Sequence, residues 1–299
     1  MEERIEKVTK SNELITASYS LSTREQRLLL AAISLCNPLE EIPSEIKITA
    51  DYYSSIFQTK NPYRDMRLAA KNLFERSVVV TNEHEDGEMR WLAEKWKSRR
   101  EDEGGGYVRL VFTESLKKYL SELSGYFSSY EVRRVGKFKS AYTFRIFEML
   151  MMYKRNGWLA VGVDTLRARL DLPDSYASVT NMRKHVLDVA IAEINGSSGL
   201  RAEYEVIYEA RRAVAFRFRF SGDGVGKKKK TASKDSDPAG VAVEAQSNAE
   251  DQPKRGGVRD APAVSSYSKE SYTKASPVVY EANIDVIRSS LGRKRADRE

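Results

Sequence analysis

The sequence predicts an α+β chain in which one order of elements, helix, strand, helix, helix, hairpin, is laid down twice and followed by a tail that does not build a core. Three observations carry this. Capped helices fall at matching places in residues 1–130 and 131–220, alternating apolar strands close each half, and after Phe220 the composition turns to Gly, Ser, Ala, Lys, Asp and Pro. That element order is the order of a winged helix, although helix-and-hairpin orders also occur in other α+β folds. The predicted class is two tandem winged-helix domains followed by a disordered C-terminal tail at 221–299, which has too little apolar surface to offset chain entropy.

In the first half, residues 22–35 read as a helix, with Ser22 as N-cap and Glu25 three residues on as in a capping box. Ile46 and Ile48 flank Lys47 in a short strand, and Thr49 caps a helix running to Phe57. Asn61 followed by Pro62 starts a third helix, predicted to reach about Arg76. SVVVT, EMRWLAEKW and YVRLVF then read as antiparallel strands with a flexible glycine turn at Gly104, Gly105 and Gly106, and residues 112–130 as a helical connector.

The second half repeats the order. Helices are predicted at 139–153, at 164–170 with Asp164 as cap, and at 178–194, stopped by Asn195 and Gly196. Strands fall at 159–163, 200–208 and 213–220, the last two joined by 209–212.

Composition narrows the function. The 299 residues hold 50 Lys plus Arg against 43 Asp plus Glu, a net charge of +7. No run approaches the roughly 20 apolar residues of a membrane span, and the first residues show no basic stretch followed by an apolar block, so no membrane partner is expected and a cytoplasmic location is. A single cysteine, Cys36, with only His84 and His185 excludes an internal disulfide and a Cys/His zinc cage, and no cofactor is expected. By segment the net charge is −2 over 1–130, +6 over 131–220 and +3 over 221–299. The excess is concentrated in a central segment rich in Arg, whose forked donors suit phosphate.

The faces that would meet DNA follow from helical and strand periodicity. On helix 178–194, Met182, Val186, Val189 and Ala190 form the core arc with Leu187 and Ile194. Asn181, Lys184, His185 and Asp188 collect opposite, with Arg183 at the flank. Asn pairs bidentately with adenine and Lys donates to guanine N7 and O6, so Asn181 and Lys184 are the candidate base readers, with His185 beside them. On strand 213–220, Val214, Phe216, Phe218 and Phe220 face inward and Arg217 and Arg219 outward. Arg211 and Arg212 sit at the hairpin tip, placed for phosphate. For Arg217 and Arg219, cross-strand pairing with Glu203, Glu205 or Glu209 is an equal alternative. On the first-half helix from Pro62, Met66, Ala69, Ala70, Leu73 and Phe74 point inward, and Arg64, Arg67 and Lys71 share another face as a second candidate reader. The first domain is also expected to serve self-association, with the strand around Met89 to Trp96 as an exposed edge.

The tail holds two features. GDGVGKKKK resembles a phosphate loop, but its spacing fails, because Ser221 stands in place of the first Gly and Lys228 in place of Ser or Thr. Residues 277–295 carry enough apolar side chains for a short helix that folds on a partner.

Six strings in collinear order, VTKSNELITASYSLSTREQRLLLAAI, LKKYLSELSGYFSSYEV, FKSAYTFRIFEMLMMY, VDTLRARLDL, MRKHVLDVAIAEIN and ARRAVAFRF, resemble the iteron-binding plasmid replication initiators over roughly residues 8–220. The resemblance implies a monomer that binds directly repeated origin sites with both domains, helps open an adjacent AT-rich region and recruits the host initiator and replicative helicase. It also implies a homodimer, joined through the first domain, that represses its own gene at an inverted repeat. As main reader it implies the second domain's last helix, here Asn181, Arg183, Lys184 and His185. One departure is visible: such proteins tend to carry consecutive basic residues before the Val-Leu pair, where this chain has His185 after Lys184. The alternative is a winged-helix transcriptional repressor without initiator activity. A nicking enzyme is disfavoured, since that chemistry wants a His-rich metal site and the two histidines fall in different predicted domains.

Overall fold

The computed structural model describes residues 6–81, 84–98, 106–121 and 126–222. The tail beyond Gly222, with its lysine run and the 277–295 segment, lies outside the described residues, as do Gly104 and Gly105.

The first domain opens with strand β1 (Lys7–Ser11) and a short helix α1 (Asn12–Thr16), whose cap is Ser11. Helix α2 (Thr23–Ser34) starts with the predicted capping box: Ser22 Oγ accepts from the Glu25 N–H and Glu25 Oε2 accepts from the Ser22 N–H at 2.9 Å. Strand β2 (Ile46–Thr49) and helix α3 (Ala50–Phe57) follow, with the Thr49 hydroxyl capping Tyr52 N–H at 3.2 Å as expected. Helix α4 (Pro62–Leu73) begins at the predicted Pro62, but Asn61 makes no side-chain cap bond. First-turn Asp65 ties the start down instead, accepting from Thr59 Oγ1 at 2.6 Å and Arg24 Nε at 3.0 Å. The helix ends short of Arg76 because the chain must turn into strand β3 (Ser77–Thr81).

EMRWLAEKW is not one strand. It divides into β4 (Asp86–Arg90), which pairs with β3, and β5 (Leu92–Lys97), which pairs with β6 (Tyr107–Phe112). Between them Trp91 is fully buried, edge-on to Tyr19 at 4.9 Å, and this inward anchor separates the two ribbons. The helical connector expected at 112–130 is also corrected. Its described part holds only a one-turn helix α5 (Glu114–Lys117) and then strand β7 (Phe127–Glu131), antiparallel to β1 from Ser11↔Phe127 to Lys7↔Glu131. The reason is the period-2 pattern of FSSYE, which buries Ser128 and Tyr130 and finds a partner edge in β1.

The second half of the chain runs through α6 (Ala141–Met152), β8 (Trp158–Gly162) and α7 (Val163–Arg169). Gly162, not Asp164, occupies the cap position of α7; Asp164 lies in the first turn, where its charge suits the helix dipole. The last helix is continuous but not uniform: α8 (Val179–Met182), a π turn (Arg183–Leu187) and α9 (Asp188–Ser197). It passes through Asn195 and Gly196, because Asn195 is fastened to strand β9 (Leu200–Glu209), donating to Ala202 O at 2.9 Å and accepting from Ala202 N at 2.6 Å. Strand β10 (Arg212–Gly222) completes the fold.

Each domain has a three-stranded sheet with the same topology, β2-β6-β5 and β8-β10-β9, the short strand after the first long helix lying beside the last strand of the hairpin. The twofold winged-helix plan is therefore present, with the β3-β4 ribbon as an addition to the first copy. β5 is the outer strand of its sheet, and its Glu94, Lys95 and Lys97 put charge along that edge.

The two domains do not hang from a loose linker. Their buried side chains form one continuous apolar cluster, from Val8 to Phe220. Inside it, Lys10 on β1 places Nζ 2.8 Å from Glu148 Oε1 on α6, both side chains wholly buried. The Tyr130 hydroxyl on β7 donates to the same oxygen at 2.7 Å, and burial, reinforced by the Glu148 charge, holds that phenol well above its ordinary pKa, so it remains a donor. Beside them, buried Arg145 stacks 3.6 Å from the Tyr19 ring and donates to Ala17 O at 2.6 Å and Arg169 O at 3.1 Å.

Replacing Lys10 with Met leaves Glu148 buried and unpaired and should cost about 3–5 kcal/mol in urea unfolding, while Lys10→Met combined with Glu148→Leu should recover most of it. Burial pushes the Cys36 thiol up to about 12, which keeps it protonated at neutral pH. A maleimide probe should leave folded protein unlabelled and label Cys36 once denaturant is added.

Candidate nucleic-acid interface

The candidate reading face is the last helix of the chain's second half, α8 to α9. Met182, Val186, Leu187, Ala190 and Ile194 are fully buried, as the periodicity predicts. Val189 is not: it is 38% exposed. The π turn is the cause. The Asp188 N–H bonds to Arg183 C=O five residues back, so the turn holds one more residue than an α-turn and the phase of everything after it shifts. Asn181, Arg183, Lys184, His185 and Asp188 all reach solvent, three of them consecutive.

Their surroundings differ. Asn181 Nδ2 donates to Ser175 O at 3.3 Å, which ties the amide toward the start of the helix. Arg183 and Asp188 meet through a residue the sequence reading did not single out, Tyr204 on β9. Its hydroxyl donates to Asp188 Oδ1 at 2.6 Å and accepts from Arg183 Nε at 3.4 Å. Partial burial and the Asp188 bond raise the Tyr204 pKa, so the phenol is protonated at neutral pH. Nothing in the local pattern marks it, since Tyr204 shares the inward parity of Ala202 and reads as a core residue. Among the described residues no salt bridge engages Lys184 or His185.

The wing turns at Ala210 and Arg211, both left-handed with φ of 44° and 71°. A two-residue hairpin loop asks for this backbone and ordinarily uses Asn or Gly there. This chain places an alanine and a charged side chain in that conformation instead, at a cost of about 1–2 kcal/mol per residue. Arg211 and Arg212 are exposed. Arg217 departs from the expected DNA contact: it is only 9% exposed, and its Nη1 lies 2.7 Å from Glu205 Oε1 across the sheet. The register that sets Arg217 opposite Glu205 makes it a sheet residue. Arg219 stays largely exposed, 3.4 Å from the same carboxylate.

In the first domain α4 buries Met66, Ala69, Ala70 and Leu73, with Phe74 half-buried, and exposes Arg64, Arg67 and Lys71 together with Leu68. The two helices thus offer two separate basic faces on one packed body.

Substituting Arg211 with Gly should act in opposite directions on two measurements. Thermal stability should rise by about 1 kcal/mol as the left-handed position is relieved, while the slope of log affinity against log salt on duplex DNA should fall by about 1 as one phosphate contact is lost.

Comparison with known proteins agrees with this architecture. Residues 7–151 match the initiator replication protein WH1 domain and residues 162–220 the WH2 domain, the first match running on through α6. An Escherichia coli replication initiation protein is 26% identical over 210 residues, 65% of this chain and 63% of that protein. An uncharacterized 27.6 kDa Escherichia coli protein is 26% identical over 215 residues, 67% of this chain and 89% of that one. Among solved structures, that of Pi initiator protein in complex with iteron DNA shares the fold at a TM-score of 0.63 and 20% identity, covering 74% of this chain and 99% of that chain. Through both of its winged-helix domains, the chain belongs to the initiator replication protein family.

Proposed function

We propose that this protein starts plasmid replication by binding directly repeated origin sites, the second domain's last helix reading bases in the major groove and α4 of the first domain making a second contact. The observation that carries the reading is the consecutive exposed Arg183, Lys184 and His185 on one helix, together with the exposed wing arginines 211 and 212. In this reading Asn181 and Lys184 contact base edges, Arg183 and His185 flank them, Arg211, Arg212, Arg64, Arg67 and Lys71 hold phosphates, and the protein performs no covalent chemistry of its own. The related Pi initiator, solved with iteron DNA, supports the choice of ligand.

The cytoplasmic protein would engage the host initiator and replicative helicase as a monomer, and pair through its first domain into a dimer that represses its own gene at an inverted repeat. The charged outer strand β5, with Trp96 half exposed, supports the first domain as the pairing surface. No described helix is long and apolar enough to cross a membrane.

In mobility shifts on the DNA flanking the gene, affinity should fall steeply with salt, as counterions are released from each phosphate neutralised. Lys184→Ala should cost on the order of 1–3 kcal/mol there and relax base preference. Undiminished binding by that variant would remove Lys184 from the interface. A plasmid whose only initiator is this gene with its flanking DNA should replicate; failure to do so would leave repression as the function.

A further inference from the structure

The π turn and Tyr204 involve the same two residues. The backbone bond that defines the turn runs from Asp188 N–H to Arg183 C=O, and the Tyr204 hydroxyl bridges the side chains of those same positions, at 2.6 Å to Asp188 and 3.4 Å to Arg183. In a regular α-helix residues five apart point about 140° away from each other. The widened turn brings the two side chains close enough for one hydroxyl from the neighbouring strand to reach both. The ring itself packs beside its cross-strand neighbours on β10, 6.0 Å from Phe216 and 5.8 Å from Phe218. The phenol is therefore presented by the sheet as a rigid post against the reading helix.

We propose that Tyr204 is a positioning residue for DNA recognition: standing on the wing sheet, it locks the π turn through Asp188 and orients the Arg183 guanidinium, so that Arg183, Lys184 and His185 face the duplex together. The proposal rests on the reading of this helix as the DNA-binding element. It adds that base preference is set partly by a residue that touches no DNA. A widened turn at a functional site fits the general use of such turns. The bridge removes rotamer freedom from Arg183 before binding, a cost otherwise met on association.

The test is a selection from random-sequence duplexes with the full-length protein, followed by affinity measurements on the selected duplex and on a scrambled one at the same salt. Tyr204→Phe keeps the ring and its packing and removes only the bridging hydroxyl. It should weaken the selected duplex about tenfold, weaken the scrambled duplex less, and broaden the preferred base at one or two positions. In an Arg183→Ala background the same change should have a clearly smaller effect, because only the Asp188 side of the bridge is left to lose. Asp188→Asn should reproduce part of the loss. Unchanged affinity and base preference in Tyr204→Phe would overturn the proposal, as would an equal loss with and without Arg183. If the unaltered protein selects no sequence, it is the DNA-reading function that fails, and the two failures are told apart by that first step.

Discussion

The arrangement of the molecule depends on a charge pair kept out of water. Lys10 sits on the first strand and Glu148 on α6, both inside the stretch that matches the WH1 domain, and neither has any exposed side-chain surface. Taking both ions from water costs several kcal/mol each, recovered only if the geometry is good and the remaining oxygen valences are used. Tyr130 supplies one such bond from β7 while Glu148 Oε2 makes none among the described residues, and the neighbouring Arg145 directs Nη2 to the carbonyls of Ala17 and Arg169. An apolar contact at this junction tolerates sliding and rotation, whereas a hydrogen-bonded ion pair has one productive geometry. The pair contributes definition of how α6 seats against β1 and β7 more than stability.

That definition matters because a two-module DNA reader gains from fixed spacing. If both helices engage one duplex, the second contact becomes intramolecular, at an effective concentration set by how well the separation matches the DNA. A rigid junction raises that value for matching sites and removes it for others. On the proposed reading, the Lys10–Glu148 pair, Tyr204 and the left-handed wing tip share a logic: each spends folding energy to hold a recognition element in place before DNA arrives.

Much of this was legible from residue order. The capping box at Ser22 and Glu25, the Thr49 cap, Pro62 at a helix start and the alternating phenylalanines of β10 each state a local rule that the fold obeys. What the sequence concealed was tertiary. Lysine reads as surface until its partner is known, so Lys10 gave no sign of being buried 138 residues from its counter-ion. β7 reads as part of a helical connector because its partner strand β1 lies more than 110 residues away in sequence. Val189 falls on the core arc at a period of 3.6, which does not anticipate a turn wider than that. Arg217 had a stated alternative, and the register of β9 against β10 chose it.

Hydroxyl-radical cleavage of the flanking DNA, with bound and free duplex compared strand by strand, tests most directly whether two linked reading helices grip one duplex. Protection in two patches about one helical turn apart on a single face, both lost together when Lys10 is replaced by Met, is the predicted result. A single patch the width of one winged helix, unaffected by that change, would contradict it.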